Sequence, residues 1–275
     1  MADFQNDQAA GLRRIMAAPK PRVVSIISAS SISPSSTQDQ PRMMTNLAAS
    51  IRSQGSEVLI MHASHASRGA SYEMDQLPTL FDVANETATL SDAIKNTRHG
   101  LSVAKLLHEN QVKIPLDNDA GVVLNGIFDQ LSRQYEIVLV DATLNNEQLL
   151  PLKTLNESEI LIQLTRDPES IKNAYTLIKQ ICSQLGRRSF GIIVDDATEA
   201  QAKVVFKNIS EVARRFMQIE LEFFGAIPND VHLSKAAKLG RSVVDAFPMA
   251  AASTALKQIA QRLDYKHDLA ANIKH

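Results

Sequence analysis

Arg22-Val23-Val24-Ser25-Ile26-Ile27-Ser28 runs into the small-residue stretch Ala29 to Pro41 and then into an amphipathic segment from Met43 to Gln54. A β-branched run, a loop of small residues and a helix make the opening βα unit of a phosphate-binding α/β domain. A phosphate cradle also needs glycines, whose backbone reaches positive φ and comes close to the phosphates, and a lysine to meet their charge. Here no glycine stands between Leu12 and Gln54, and no lysine between Pro21 and Ile94. The loop reads Ala29-Ser30-Ser31-Ile32-Ser33-Pro34-Ser35-Ser36-Thr37-Gln38-Asp39-Gln40-Pro41, and its two prolines carry no N–H. The architecture points to nucleotide and the loop does not: the sequence reads as a nucleotide-binding fold with a dismantled nucleotide site.

Working outward, the chain alternates strand and helix. Strands are predicted at Glu57–His62, Leu101–Leu106, Tyr135–Asp141, Ile160–Leu164, Phe190–Val194 and Leu221–Ile227. Helices are predicted at Gly121–Gln134, after Thr165-Arg166-Asp167-Pro168-Glu169-Ser170, and at Thr198–Phe216, Val231–Leu239 and Ala251–Leu263. Leu80 to Ile94 reads as one or two short helices. Continuous apolar strands separated by helices give a three-layer α/β/α class with a mainly parallel sheet. Residues 22–263 form this domain, 1–21 an N-terminal arm and 264–275 a C-terminal tail.

Composition bounds the function. The chain has 275 residues, 44% of them hydrophobic, enough for one large core. A formal net charge of −1 gives no general attraction to nucleic acid. A single cysteine, Cys182, rules out a disulfide framework, and no apolar run is long enough to cross a bilayer, so the expected compartment is the cytoplasm. The tail from Asp264 to His275 has few large apolar residues and both charge signs, which predicts weak or no membrane binding; a monomer is expected.

Two sites draw attention on their chemistry. His62-Ala63-Ser64-His65 ends the second strand, but two histidines with no third ligand nearby read as partly exposed polar residues rather than a metal site. Asp141 ends the most strand-like run, at the edge where such folds place their chemistry; without glycines and a lysine opposite, it reads as a cap of the next turn.

These residues resemble the MinD/ParA-type P-loop ATPases, most closely the FlhG (FleN) regulators of flagellar number. Asp7-Gln8-Ala9-Ala10-Gly11-Leu12-Arg13 is similar to that family's N-terminal activator motif, and Asn46-Leu47-Ala48 to the end of its first helix. Ser91-Asp92-Ala93-Ile94, Gly100-Leu101-Ser102-Val103, the Thr165 to Ile171 proline turn and Gly225-Ala226-Ile227-Pro228-Asn229-Asp230 extend the likeness along the chain. The departures fall together. Ala29 to Pro41 replaces the glycine- and lysine-bearing loop, His62 or Ser64 replaces the first switch aspartate, the second switch lacks its glycine after Asp141, and Asp195 stands for a base-contacting asparagine.

The resemblance implies a non-catalytic regulator of flagellar biosynthesis, expected to hold no cofactor. It implies binding to an FlhF-type signal-recognition GTPase through Asp7, Gln8, Ala9, Gly11, Leu12 and Arg13, with flagellar transcriptional regulators or switch-complex proteins as further partners and recruitment to the pole or the inner membrane face. Ser30, Ser35, Ser36, Asp141, Asp195 and Pro228 mark the vestigial nucleotide site. The alternative is an ATPase using ATP and Mg, in which Ser30 to Thr37 supply hydroxyl and backbone donors to phosphate.

Overall fold

A computed structural model describes residues 21–29, 39–63, 74, 76–97, 100–108, 119–145 and 149–272. Its frame is an eight-stranded sheet: β1 (Arg22–Ser28), β2 (Val58–His62), β3 (Ile94–Asn96), β4 (Ser102–Lys105), β5 (Ile137–Asp141), β6 (Glu159–Leu164), β7 (Phe190–Asp195) and β8 (Leu221–Ile227). The spatial order is β3-β4-β2-β5-β1-β6-β7-β8, and every neighbouring pair is parallel except β3 with β4. From β1 the chain winds to one side through β2 and β4, returns to β5, then crosses β1 and winds the other way through β6, β7 and β8. The winding reverses at β1, and the carboxyl end of the strands at such a reversal is the place where open α/β sheets bind ligands.

Because side chains alternate along a strand, each strand feeds two cores. Val24 and Ile26 of β1 and Ile137 and Leu139 of β5 pack with α1 (Asp39–Arg52), through Met43, Met44, Leu47 and Ile51. On the same face lie α6 (Val231–Lys238), α7 (Val243–Ala246) and α8 (Ala251–Asn272). Ile27, Val138 and Val140 face the other way, onto α2 (Leu80–Ala84), α3 (Asp119–Ser132), α4 (Pro168–Leu185) and α5 (Glu199–Met217). Phe128 and Phe190, both essentially inaccessible, are among the largest side chains on that side. The three-layer α/β/α reading therefore holds.

Local chemistry sets the helix starts. Asp167 caps α4 by accepting from the Glu169 N–H at 3.0 Å, with Pro168 in the first turn, and Thr198 with Gln201 makes a capping box on α5. Some stretches depart from the sequence reading. The helix beginning at Leu80 stops at Ala84, because Asn85 and the left-handed Glu86 end it; Thr89 and Asp92 then bond each other in a turn, and Ile94 opens the antiparallel edge strand β3. The last helix continues past Leu263 to Asn272.

Candidate functional site

The floor of the candidate site is formed by the carboxyl ends of the central strands. β2 ends at His62 and β5 at Asp141, and the parallel register sets them side by side. His62 Nδ1 lies 3.3 Å from Asp141 Oδ2, and both side chains are 1% exposed. The sequence reading of His62 as partly exposed is thus corrected: the register carries it into the floor beside the carboxylate. The reading of Asp141 as a cap left out this lateral partner, 79 residues away in the chain. The same register continues the row outward, with Lys105 of β4 beside His62 and Ile26 of β1 beside Asp141. The Lys105 ammonium donates to the Met74 carbonyl at 3.3 Å.

On the other side of β1 the floor is made of amides. Gln163 of β6 is in register with Ser28 and donates its Nε2 to Asp195 Oδ2 at the end of β7. Gln163 is 4% exposed, and its Oε1 is buried without a hydrogen-bond partner. Where β1 leaves the sheet, the Ala29 N–H donates to the Gln163 carbonyl at 2.8 Å and Asn173 of α4 donates to the Ala29 carbonyl at 3.3 Å. These bonds fix Ala29 against β6 and α4.

At the far end, Pro228 turns the chain out of β8 into Asp230. Asp230 accepts from the His232 N–H at 2.9 Å, from His232 Nδ1 at 2.7 Å and from the Ala252 N–H at 3.1 Å, so one carboxylate starts α6 and ties it to α8. Burial by itself would raise its pKa, but the backbone donors of His232 and Ala252 and the His232 ring together hold it below the usual carboxylate value.

The structure therefore brings Asp141 and Asp195 to the same sheet edge, with Pro228 at the exit of β8. Ser30, Ser35, Ser36 and the arm residues Asp7, Gln8, Ala9, Gly11, Leu12 and Arg13 lie outside the described residues. Two floor residues escaped the sequence reading of the site, His62 as a partner of Asp141 and Gln163 altogether; a polar residue at or next to the carboxyl end of an apolar run was the available signal for both. Among the described residues no three His, Cys, Asp or Glu side chains converge as a metal set. Burial raises the pKa of the Cys182 thiol, which disfavours the reactive thiolate. No described helix is long and apolar enough to cross a membrane.

No family model matches the chain. Its sequence is similar to the antiactivator FleN of Pseudomonas aeruginosa, 26% identical over 222 residues that cover 80% of this chain and 79% of FleN. Its structure is similar to a chain of the MinC:MinD cell division protein complex of Aquifex aeolicus, with TM-score 0.65, 18% identity, and 88% of this chain and 95% of that one covered. It is also similar to the septum site-determining protein MinD of Pyrococcus horikoshii complexed with Mg-ADP, with TM-score 0.60, 17% identity, and 89% and 96% covered. The fold is that of the MinD/ParA-type P-loop ATPases, and the resemblance to that superfamily, close to FlhG (FleN), is borne out.

Proposed function

We propose that this chain is a FlhG-like regulator that works by binding partners rather than by turning over ATP. The observation that carries this reading is the stretch from Ala29 to Pro41. It occupies the position of the phosphate loop with no glycine to let the backbone close on phosphate and no lysine to offset phosphate charge. The carboxyl edge of the sheet fits Mg-nucleotide no better, since the Asp141 carboxylate is buried against His62 instead of lying open to a hydrated cation. No step of nucleotide chemistry is therefore assigned to these residues. Similarity to the antiactivator FleN supports a regulatory role in flagellar biosynthesis.

In this reading residues 1–21 are an arm, 22–263 the folded domain and 264–275 a tail. The arm engages an FlhF-type GTPase through Asp7, Gln8, Ala9, Gly11, Leu12 and Arg13. The Gln8 amide orients the attacking water in that GTPase, as glutamines do in other GTPases. The test is the GTP hydrolysis rate of an FlhF-type GTPase with the full chain and with its Gln8→Ala variant. Stimulation lost in the variant and indifferent to ATP is expected, while stimulation that survives Gln8→Ala removes the role assigned to that residue.

A second reading, an ATP-binding protein with a serine-rich phosphate loop, has one observation in its favour. The Gln163 Oε1 is a buried acceptor without a hydrogen-bond partner at this edge, which suits a donor such as the adenine amino group of a nucleotide rather than a phosphate oxygen. ATP binding that fails in a Gln163→Leu variant would favour it.

A further inference from the structure

The pair His62–Asp141 has a consequence for metal binding, which rests on the non-catalytic reading above. Asp141 is 1% exposed at the carboxyl end of a central strand. A carboxylate taken so far from water needs a positive charge or a strong donor beside it, or its ionised form is driven out. In a nucleotide site a hydrated divalent cation meets that need, and such ions keep several waters and demand oxygen ligands, whereas here a carboxylate oxygen already faces a ring nitrogen. The neighbour in register supplies a ring nitrogen instead. His62 Nδ1 stands 3.3 Å from Asp141 Oδ2, donating as N–H in either the neutral Nδ1–H form or the imidazolium.

The other charged group in the row, Lys105, bonds to the Met74 carbonyl, while Ile26 on the opposite side of Asp141 has an apolar side chain. Of the side chains in this row, His62 is the one set against the carboxylate. We infer that His62 is a built-in counter-group that closes Asp141 to divalent cations. The floor keeps an acidic residue without keeping a metal.

The inference makes the cation response of this edge depend on one side chain. His62→Asp places two carboxylates together in a buried site, a pairing that disfavours both ionised forms unless a cation bridges them. The experiment follows the thermal unfolding midpoint of the full chain, without nucleotide, in chelator and in Mn2+, alongside the loss of the free-Mn2+ paramagnetic signal. The wild-type midpoint and signal are expected to be unmoved by Mn2+. The H62D variant should unfold at lower temperature in chelator, recover several degrees in Mn2+ and take up Mn2+, because a ligand of the folded state stabilises it. Adding Asp141→Asn to H62D should abolish both responses, and His62→Gln, which keeps an N–H donor, should behave as wild type.

If H62D fails to fold even with Mn2+, the His62→Ala variant decides: uptake of Mn2+ that Asp141→Asn removes is the expected result. Wild-type uptake that Asp141→Asn abolishes would overturn the inference, as would a folded H62D or H62A chain indifferent to Mn2+. A wild-type chain that binds ATP but not Mn2+ would sink the non-catalytic reading and leave this inference standing.

Discussion

The two edges of the sheet are both polar and largely closed to water, yet they are held by different chemistry. At the amino edge cations do the work. Arg22 opens β1 and pairs with Glu159 at the start of β6, its Nε donating at 3.1 Å. Arg188, just before β7, donates to the Asn156 carbonyl at 2.6 Å and the Ser158 carbonyl at 2.5 Å, while the Ser158 hydroxyl meets that of Ser25 at 2.7 Å. At the carboxyl edge carboxylates stand at the strand ends, and what meets them is an imidazole at Asp141 and an amide at Asp195. An edge built to bind Mg-nucleotide leaves its carboxylates open to metal and water; this one has turned them toward its own side chains. On the non-catalytic reading, the amino edge holds the fold and the carboxyl edge closes the site.

If that division is right, the amino edge should cost most to disturb and should be silent in function. Arg188→Ala strands two carbonyls that a charged donor now satisfies, and hydrogen bonds to charged groups contribute about 1.5–3 kcal/mol each. A loss of about 3 kcal/mol is expected in equilibrium denaturant unfolding, with GTPase stimulation by the folded variant unchanged. A neutral outcome would show that the amino edge is held some other way.

A smaller effect is expected at Asp230, which caps α6 and bonds to α8. Loss of a cap costs about 1 kcal/mol, so Asp230→Ala should destabilise by about 1–2 kcal/mol. The pH dependence has a definite sign. A carboxyl with a folded pKa below its unfolded value contributes stability that is in full force above the unfolded pKa and is lost as pH falls through the folded one. The wild type should therefore lose stability through the acid carboxylate range more steeply than Asp230→Asn, as pH-resolved thermal melts can read. Parallel acid limbs would remove this carboxylate from the account.

The smallest expected effect on stability is at Gln8. Substitutions away from a packed core usually shift stability by only about ±0.5 kcal/mol, so Gln8→Ala should leave the unfolding midpoint in place while removing stimulation of the GTPase. A large loss of stability would mean that the arm is part of the fold.

What could be read in the sequence was local. The β-branched runs at Val23–Ile27 and Ile137–Val140, the Asp167-Pro168 helix start and the helix beginning near Thr198 each announce themselves within a few residues, and each stands where it was read. What could not be read depends on partners far along the chain. β3 is only three residues long and becomes a strand by pairing with β4. The short helix α7 was missed; the Val243 N–H at its start donates to Asn46 Oδ1 on α1, 197 residues away, at 2.7 Å. Asn46 had been noticed only as part of a resemblance, and the structure gives it a physical task. The pairing of His62 with Asp141 is of the same kind, because only the register of β2 against β5 brings them together. The missing glycines and lysine were visible at once, whereas the histidine that stands against the carboxylate needed the fold.

The central claim is that the carboxyl edge no longer holds nucleotide, and calorimetric titration of the full chain with ATP in Mg2+ tests it most directly. The account predicts no saturable heat as ATP is raised into the millimolar range. Stoichiometric binding at micromolar ATP, lost on omission of Mg2+, would contradict it.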